Sequence, residues 1–244
     1  GETKPALAAV DLSLEKGAFA VLTGKSGCGK STLAKALAGF LFADSDPEYS
    51  GEIIVNTYNM AQIPLYQASE RVAYVQQNPE DQFCTLTVQD EIAFGLENNC
   101  LNPIIIEQRI DKALKIVKGI ELKDRDIHTL SGGEKQKVAI ASMLALKPAV
   151  LILDEPTSNL DPISTQNIFE TLYDLRQLEE MTVIIIEHKI DQLLGLDPIF
   201  FTLDQGKLSK GYRQPIFSES GPDLTSTANL LPTQKENQAE KKPI

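Results

Sequence analysis

The sequence predicts an α/β fold, with a mostly parallel sheet and a helical block set into it. Three observations carry this reading. Apolar runs at residues 18–22, 149–153 and 182–186 have the near-continuous hydrophobicity of strands buried on both faces of a parallel sheet. Segments with apolar residues at three- and four-residue spacing separate the runs. A glycine-rich loop, Gly24-Lys25-Ser26-Gly27-Cys28-Gly29-Lys30-Ser31-Thr32, joins the first run to a helical segment at 31–38. Strands interleaved with helices in this way form α/β cores.

The elements follow in order. Residues 5–14 alternate loosely and end at the turn Glu15-Lys16-Gly17, ahead of the first buried strand. Residues 51–56 read as a strand bounded by turn residues, and 71–75 as another that Gln76-Gln77-Asn78-Pro79 breaks. From 87 to 146 the pattern is mostly helical, with helices at 88–96, 105–117 and from Ser131 to a stop before Pro148. A helix at 165–178 lies between the second and third buried strands, and 200–203 with 206–208 form a closing hairpin. Beyond Arg213 the chain is rich in Ser, Thr, Pro, Gln, Glu and Lys and reads as a polar tail or linker, 213–244.

Composition narrows the class. A chain of 244 residues, 42% hydrophobic and 23% charged, can bury a substantial core. No apolar run approaches the roughly 20 residues that span a bilayer, and no basic stretch followed by an apolar one opens the sequence. Cys28, Cys84 and Cys100 have neither metal-ligand spacing nor an even count, which points to a reducing compartment. The net charge of −11 argues against broad attraction to nucleic acid.

Three constellations carry chemistry. Residues 24–32 fit G-x-x-x-x-G-K-[ST], whose backbone N–H groups and following helix dipole cradle phosphates. Lys30 would reach the β- and γ-phosphates and the Ser31 hydroxyl would ligate Mg²⁺. Asp154 and Glu155 end a buried strand, where α/β folds place ligands. Asp154 suits the metal and Glu155 a general base polarising water. Leu130-Ser131-Gly132-Gly133-Glu134-Lys135-Gln136 puts free N–H groups at a helix N-terminus, a second phosphate site or an ordinary serine cap.

With these in hand, residues 5–211 resemble the ATP-binding cassette (ABC) ATPases, whose motifs occur here in the family's order: the phosphate loop, Gln77, the segment 130–136, Asp154-Glu155, Ser158-Asn159-Leu160-Asp161 and His188. The resemblance implies a P-loop NTPase fold spanning about 1–212. It would have a RecA-like parallel core with an antiparallel β edge and an inserted α-helical subdomain at about 79–147. It implies ATP with Mg²⁺ held by Ser31, Gln77 and Asp154, and catalysis by Glu155, His188 and Gln77. Two cassettes, on the same or different chains, would pair head to tail. Ser131, Gly132, Gly133, Glu134 and Gln136 of one would cap the nucleotide on the other, and Asp161 would communicate across the pair. His128 has no such support and reads as a surface residue.

A finer resemblance lies in Gln77-Asn78-Pro79-Glu80-Asp81-Gln82 and the stretch 90–98, which look like the ATPases of energy-coupling factor (ECF) and cobalt/nickel importers. It implies a peripheral subunit on the cytoplasmic face of the membrane, working with a transmembrane coupling subunit and a substrate-capture membrane protein to import a vitamin or a metal ion. Phe83 and Phe94 would line the groove that grips the membrane partner, unless they serve only the subdomain core. The alternative is a soluble ABC ATPase of translation or DNA repair, which usually carries two cassettes or a long coiled-coil insertion. Two departures stand out. No aromatic precedes Phe19, where the family usually stacks adenine on one. Glu187 stands where many relatives have Thr before the histidine, which with the polar tail is compatible with one half of a tandem protein.

Overall fold

The computed structural model describes residues 5–42, 50–178, 181–188 and 190–211, all within the unit Gly1–Arg213. The polar tail expected at 213–244 lies outside the described residues. β1 (Phe19–Thr23), wholly buried, leads through the glycine-rich loop into α1 (Lys30–Leu37). The strand expected at 51–56 is a correction. Only β2 (Ile54–Val55) pairs, with β3 (Tyr58–Asn59), around a tight turn at Asn56 and Thr57. Asn56 has φ 53°, a left-handed conformation that asparagine tolerates. Arg71 lies 3.8 Å over the Tyr58 ring and ties this hairpin to the core. A short helix that the sequence reading missed, α2 (Leu65–Ser69), precedes β4 (Val72–Val75).

The helical block follows as α3 (Val88–Asn98), α4 (Pro103–Ile116) and α5 (Gly132–Ala145). Each begins at a side-chain cap that the sequence supplies, from Thr87, Asn102 and Ser131 respectively. The chain then re-enters the sheet through β5 (Val150–Asp154), α6 (Pro162–Leu178) and β6 (Thr182–Ile186), and closes with β7 (Ile199–Asp204) and β8 (Lys207–Gly211).

Six of the described strands form one sheet in the order β4-β5-β6-β1-β7-β8, parallel except for the antiparallel edge β8. Because β6 lies between β1 and β5, the register sets Leu22 beside Ile186 and Asp154 beside Ile186. The carboxyl ends of the central strands therefore reach one edge together, where parallel sheets bind ligands. Alternate residues of each strand serve opposite faces. Val21, Leu153 and Ile185 join one apolar cluster with α3, α4, α5 and α6. Leu22, Ile152 and Ile186 pack with α1, joined from the N-terminal stretch by Leu7, Val10, Leu12 and Leu14. The helical block thus shares its core with one face of the sheet, and α5 is buried along most of its length. Among the described residues, no helix is long and apolar enough to cross a membrane.

Candidate functional site

The glycine-rich loop is shaped by close backbone approaches. Gly24, Gly27 and Gly29 all have positive φ, at 150°, 77° and 107°. A Cβ at Gly24 would fall 2.3 Å from the Leu203 carbonyl oxygen, and one at Gly29 2.6 Å from that of Ala6. No side chain can fit at either point. The loop is clamped between the end of β7 and the N-terminal segment, and Ala8 N–H donates to the Gly206 carbonyl at 2.7 Å. Lys25, Ser26 and Gly27 are exposed along its rim, and Cys28 is half-buried.

Gly29 caps α1 without a side-chain hydrogen bond, and no acidic residue occupies the first turn. Lys30, 5% exposed, donates to the carbonyls of Gly24 at 2.9 Å and Lys25 at 3.1 Å. The ammonium is therefore held inside the loop, where it would meet a bound phosphate. Ser31 is exposed and Thr32 half-buried on the first turn of α1.

Asp154 and Glu155 take opposite environments at the end of β5. Asp154 is 4% exposed and accepts a 2.8 Å hydrogen bond from the Tyr74 hydroxyl. Burial, and then the charge of Asp154, push the Tyr74 phenol above its usual range, so it remains a donor. Glu155 turns outward with φ 46°, a left-handed backbone that is costly for a residue with a side chain. Its N–H donates to the Ile186 carbonyl at 2.9 Å, which holds that turn against β6. The carboxylate is then met from two sides. Gln77 Nε2 donates to Oε2 at 3.1 Å, and His188 Nε2 lies 3.2 Å from Oε1. Gln77 also reaches Ser158 Oγ at 3.4 Å.

Residues from three separate strand ends thus converge at the carboxyl edge of the sheet. A carboxylate flanked by a carboxamide and an imidazole can orient a water molecule and accept its proton. Asp161 lies farther along the same loop and is exposed. It accepts from the N–H groups of Ile163 and Ser164 and from Ser164 Oγ, and these bonds, the hydroxyl first, hold its carboxyl below the usual range.

The segment 131–136 is organised differently. Ser131 and Glu134 form a reciprocal capping box at the start of α5, and Arg125 pairs with Glu134 at 3.0 Å. Ser131 and Gly132 are exposed, whereas Gly133 is buried. A Cβ at Gly133 would fall 2.5 Å from Ser164 Oγ, so this glycine lets α5 pack on the start of α6. Gln136 is 2% exposed and faces the interior, away from the rim that Ser131 and Gly132 form. His128 is exposed, as the sequence suggested.

Of the two aromatics expected to line a partner groove, Phe94 is 45% exposed on α3, and Phe83 is half-buried against the core. Ile92, on the same helix as Phe94, is core. Buried Glu91 sets the turn before α3, its Oε2 accepting from Cys84 N at 2.9 Å and from Thr85 N and Oγ1, both at 3.0 Å. Tyr74, bonded to Asp154, and Thr157, two residues after Glu155, are site neighbours that the sequence does not single out.

A parallel sheet with a phosphate loop on β1, an acidic pair ending β5 and β6 between them defines a P-loop nucleotide-binding ATPase. The family profile described as ABC transporter matches residues 7–158. The chain belongs to the ABC transporter family and is one of its ATPase domains. It is 39% identical over 208 residues to a putative ABC transporter ATP-binding protein of Methanosarcina acetivorans, covering 85% of this chain and 32% of that protein. It is 39% identical over 211 residues to the energy-coupling factor transporter ATP-binding protein EcfA1 of Leuconostoc mesenteroides, covering 86% and 76%. Among solved structures, CbiO1 of Clostridium perfringens, part of the ABC transporter complex cbiONQ, superposes with TM-score 0.75 at 32% identity, covering 84% and 81%. The dimeric ATP-binding cassette MJ0796, bound to ADP and Pi, matches in fold, with TM-score 0.73 at 23% identity. The chain spans between 32% and 44% of the length of several curated relatives it matches.

Proposed function

We propose that this cassette hydrolyses ATP to drive an ECF-type importer, taking up a vitamin or a cobalt/nickel-type ion through separate membrane subunits. The observation that carries the reading is the convergence of Gln77 and His188 on Glu155 beside the phosphate loop. In this reading residues 24–32 hold the ATP phosphates, Lys30 contacts the β- and γ-phosphates, and Glu155 is the general base. His188 contacts the γ-phosphate, and Gln77 joins the site to the helical block. Ser31, Gln77 and Asp154 offer only oxygen ligands, the donor set that suits Mg²⁺. Tyr74 holds the Asp154 carboxylate in place for that purpose. When bound, Mg²⁺ would neutralise charge on the phosphates.

The exposed rim at Ser131 and Gly132 would cap the nucleotide on a second cassette, and Asp161 would sense that partner. Glu134 and Gln136 belong to the same segment, Gln136 supporting it from within. Likeness to EcfA1 and to CbiO1, part of the cbiONQ complex, supports membrane partners and a peripheral position on the cytoplasmic face. Phe94 and Phe83 are the coupling contacts of this reading.

Glu155→Gln tests it. The variant should bind ATP, accumulate a closed cassette pair and lose about 10²- to 10⁴-fold in turnover, the usual weight of a general base. Wild-type turnover would reject the assignment. Phe94→Asp in the same protein should abolish co-purification with membrane subunits while leaving ATP binding intact. Unchanged assembly would reject the coupling role.

A further inference from the structure

Glu187 is a buried carboxylate. It is 2% exposed, at the end of β6 immediately before His188. Its two oxygens hold two loops, the one after β5 and its own after β6. Oε2 accepts from the Thr157 hydroxyl at 2.6 Å, and Oε1 accepts from the His188 backbone N–H at 2.8 Å. Its own N–H donates to the Leu22 carbonyl at 3.3 Å, two residues before the glycine-rich loop. Thr157 is itself fully buried, two residues after Glu155. One side chain therefore bridges the loop that carries the general base and the loop that carries the histidine, and its backbone is pinned to the strand that feeds the phosphate loop.

The geometry at Glu155 explains why such a bracket is needed. Its left-handed backbone persists only when neighbouring contacts over-determine it. The Ile186 carbonyl fixes one side of that turn, and the Thr157–Glu187 bond fixes the other. On the histidine side, the bond to the His188 N–H sets where the exposed imidazole leaves the strand.

We propose that Glu187 is a positioning residue for ATP hydrolysis, a bracket that sets the separation of Glu155 and His188 by holding Thr157 with one oxygen and the His188 N–H with the other. This rests on the assignment of Glu155 and His188 given above. The bracket acts through hydrogen bonds, so a carboxamide can replace it. Its oxygen accepts from His188 N–H and its NH₂ donates to the Thr157 hydroxyl.

The test uses the full chain in its assembled complex, with ATP turnover measured against ATP concentration. Glu187→Ala and Thr157→Val should each lower kcat about 10- to 100-fold, as loss of near-attack geometry does. KM for ATP should stay within about threefold. Because both remove the same bond, the double variant should fall little below Glu187→Ala alone. Glu187→Gln should remain within about threefold of the wild type. Unchanged kcat in Thr157→Val overturns the proposal, as does a Glu187→Gln variant as impaired as Glu187→Ala. If Glu187→Ala does not fold, Thr157→Val and Glu187→Gln decide between the same outcomes. Glu155→Gln run in parallel separates the two readings. If it retains turnover, the site assignment fails; if it loses turnover while Thr157→Val does not, only the bracket fails.

Discussion

The cassette presents two helix N-termini with glycine-rich starts, one that the sequence makes a phosphate site and one that it leaves as a phosphate site or a serine cap, and their construction differs. At α1 the cap is a left-handed glycine with no side chain to occupy the N–H groups, the first turn has no acid, and a buried lysine is folded into the loop. At α5 the cap is a serine whose N–H and hydroxyl both donate to Glu134, and Arg125 balances that acid. The first end leaves the helix dipole and its N–H groups open to a polyanion, as the proposed ATP site requires. The second is satisfied within the chain, and its carboxylate opposes any phosphate that approaches. Its exposed Gly132 can complete a site whose main charges are neutralised elsewhere, which is the auxiliary role that a second cassette's nucleotide would give it.

The largest effect that tests this contrast is at Lys30. Lys30→Ala should weaken ATP binding about 10- to 100-fold, corresponding to the loss of one charge-assisted contact of ~1.5–3 kcal/mol. Calorimetry with ATP measures it directly. Unchanged affinity would mean that the α1 end is not the primary anion site, and the asymmetry between the two ends would collapse.

Next in size is a pair of glycines. Gly133→Ala places a methyl against Ser164 and should destabilise the cassette by about 1–3 kcal/mol, read from urea unfolding. Gly132→Ala meets nothing nearer than Leu160 Cδ2 at 3.7 Å and should leave stability within about 0.5 kcal/mol. Both should bind ATP at the phosphate loop with wild-type affinity. If Gly132→Ala proved the costlier of the two for stability, the division of this segment into an outward and an inward glycine would be wrong.

The contrast also bears on what a sequence can convey. The α1 end was legible because its whole apparatus is contiguous: a buried apolar run, then glycines, lysine and a hydroxyl. The strands β5 and β6 were legible because burial on both faces demands uninterrupted apolar residues. The hairpin of β2 and β3 and the five-residue α2 left too short a pattern to read. The partners of the site were hidden for a different reason. Tyr74 and Asp154 are 80 residues apart, and Thr157 and Glu187 are 30 apart, so only the register of β4, β5 and β6 brings them into contact. Gly133 was read as a phosphate donor because Ser-Gly-Gly fits one, whereas its packing against Ser164 is a tertiary fact. Glu91 holds the turn before α3 through three hydrogen bonds, which spacing along the chain does not convey.

The smallest effect concerns Glu134 and follows from the capping box. The Ser131 N–H, the Ser131 hydroxyl and Arg125 hold its carboxyl below the usual range. A carboxyl lowered on folding stabilises the folded state above its unfolded pKa of about 4.3, and that stabilisation is lost as pH falls through the lowered value. Glu134→Gln keeps an acceptor for the cap but removes the charge. It should be less stable than the wild type by about 0.3–1 kcal/mol at pH 7 and at pH 5.5, the weight of one acid on a surface helix terminus. As pH falls below about 4.3 and through the lowered folded value the two proteins should converge, because the wild-type carboxyl protonates as well. A difference that stayed constant down to pH 3 would show that Glu134 acts through shape rather than charge. The electrostatic half of the contrast between the two helix ends would then fall, leaving only the difference in their caps.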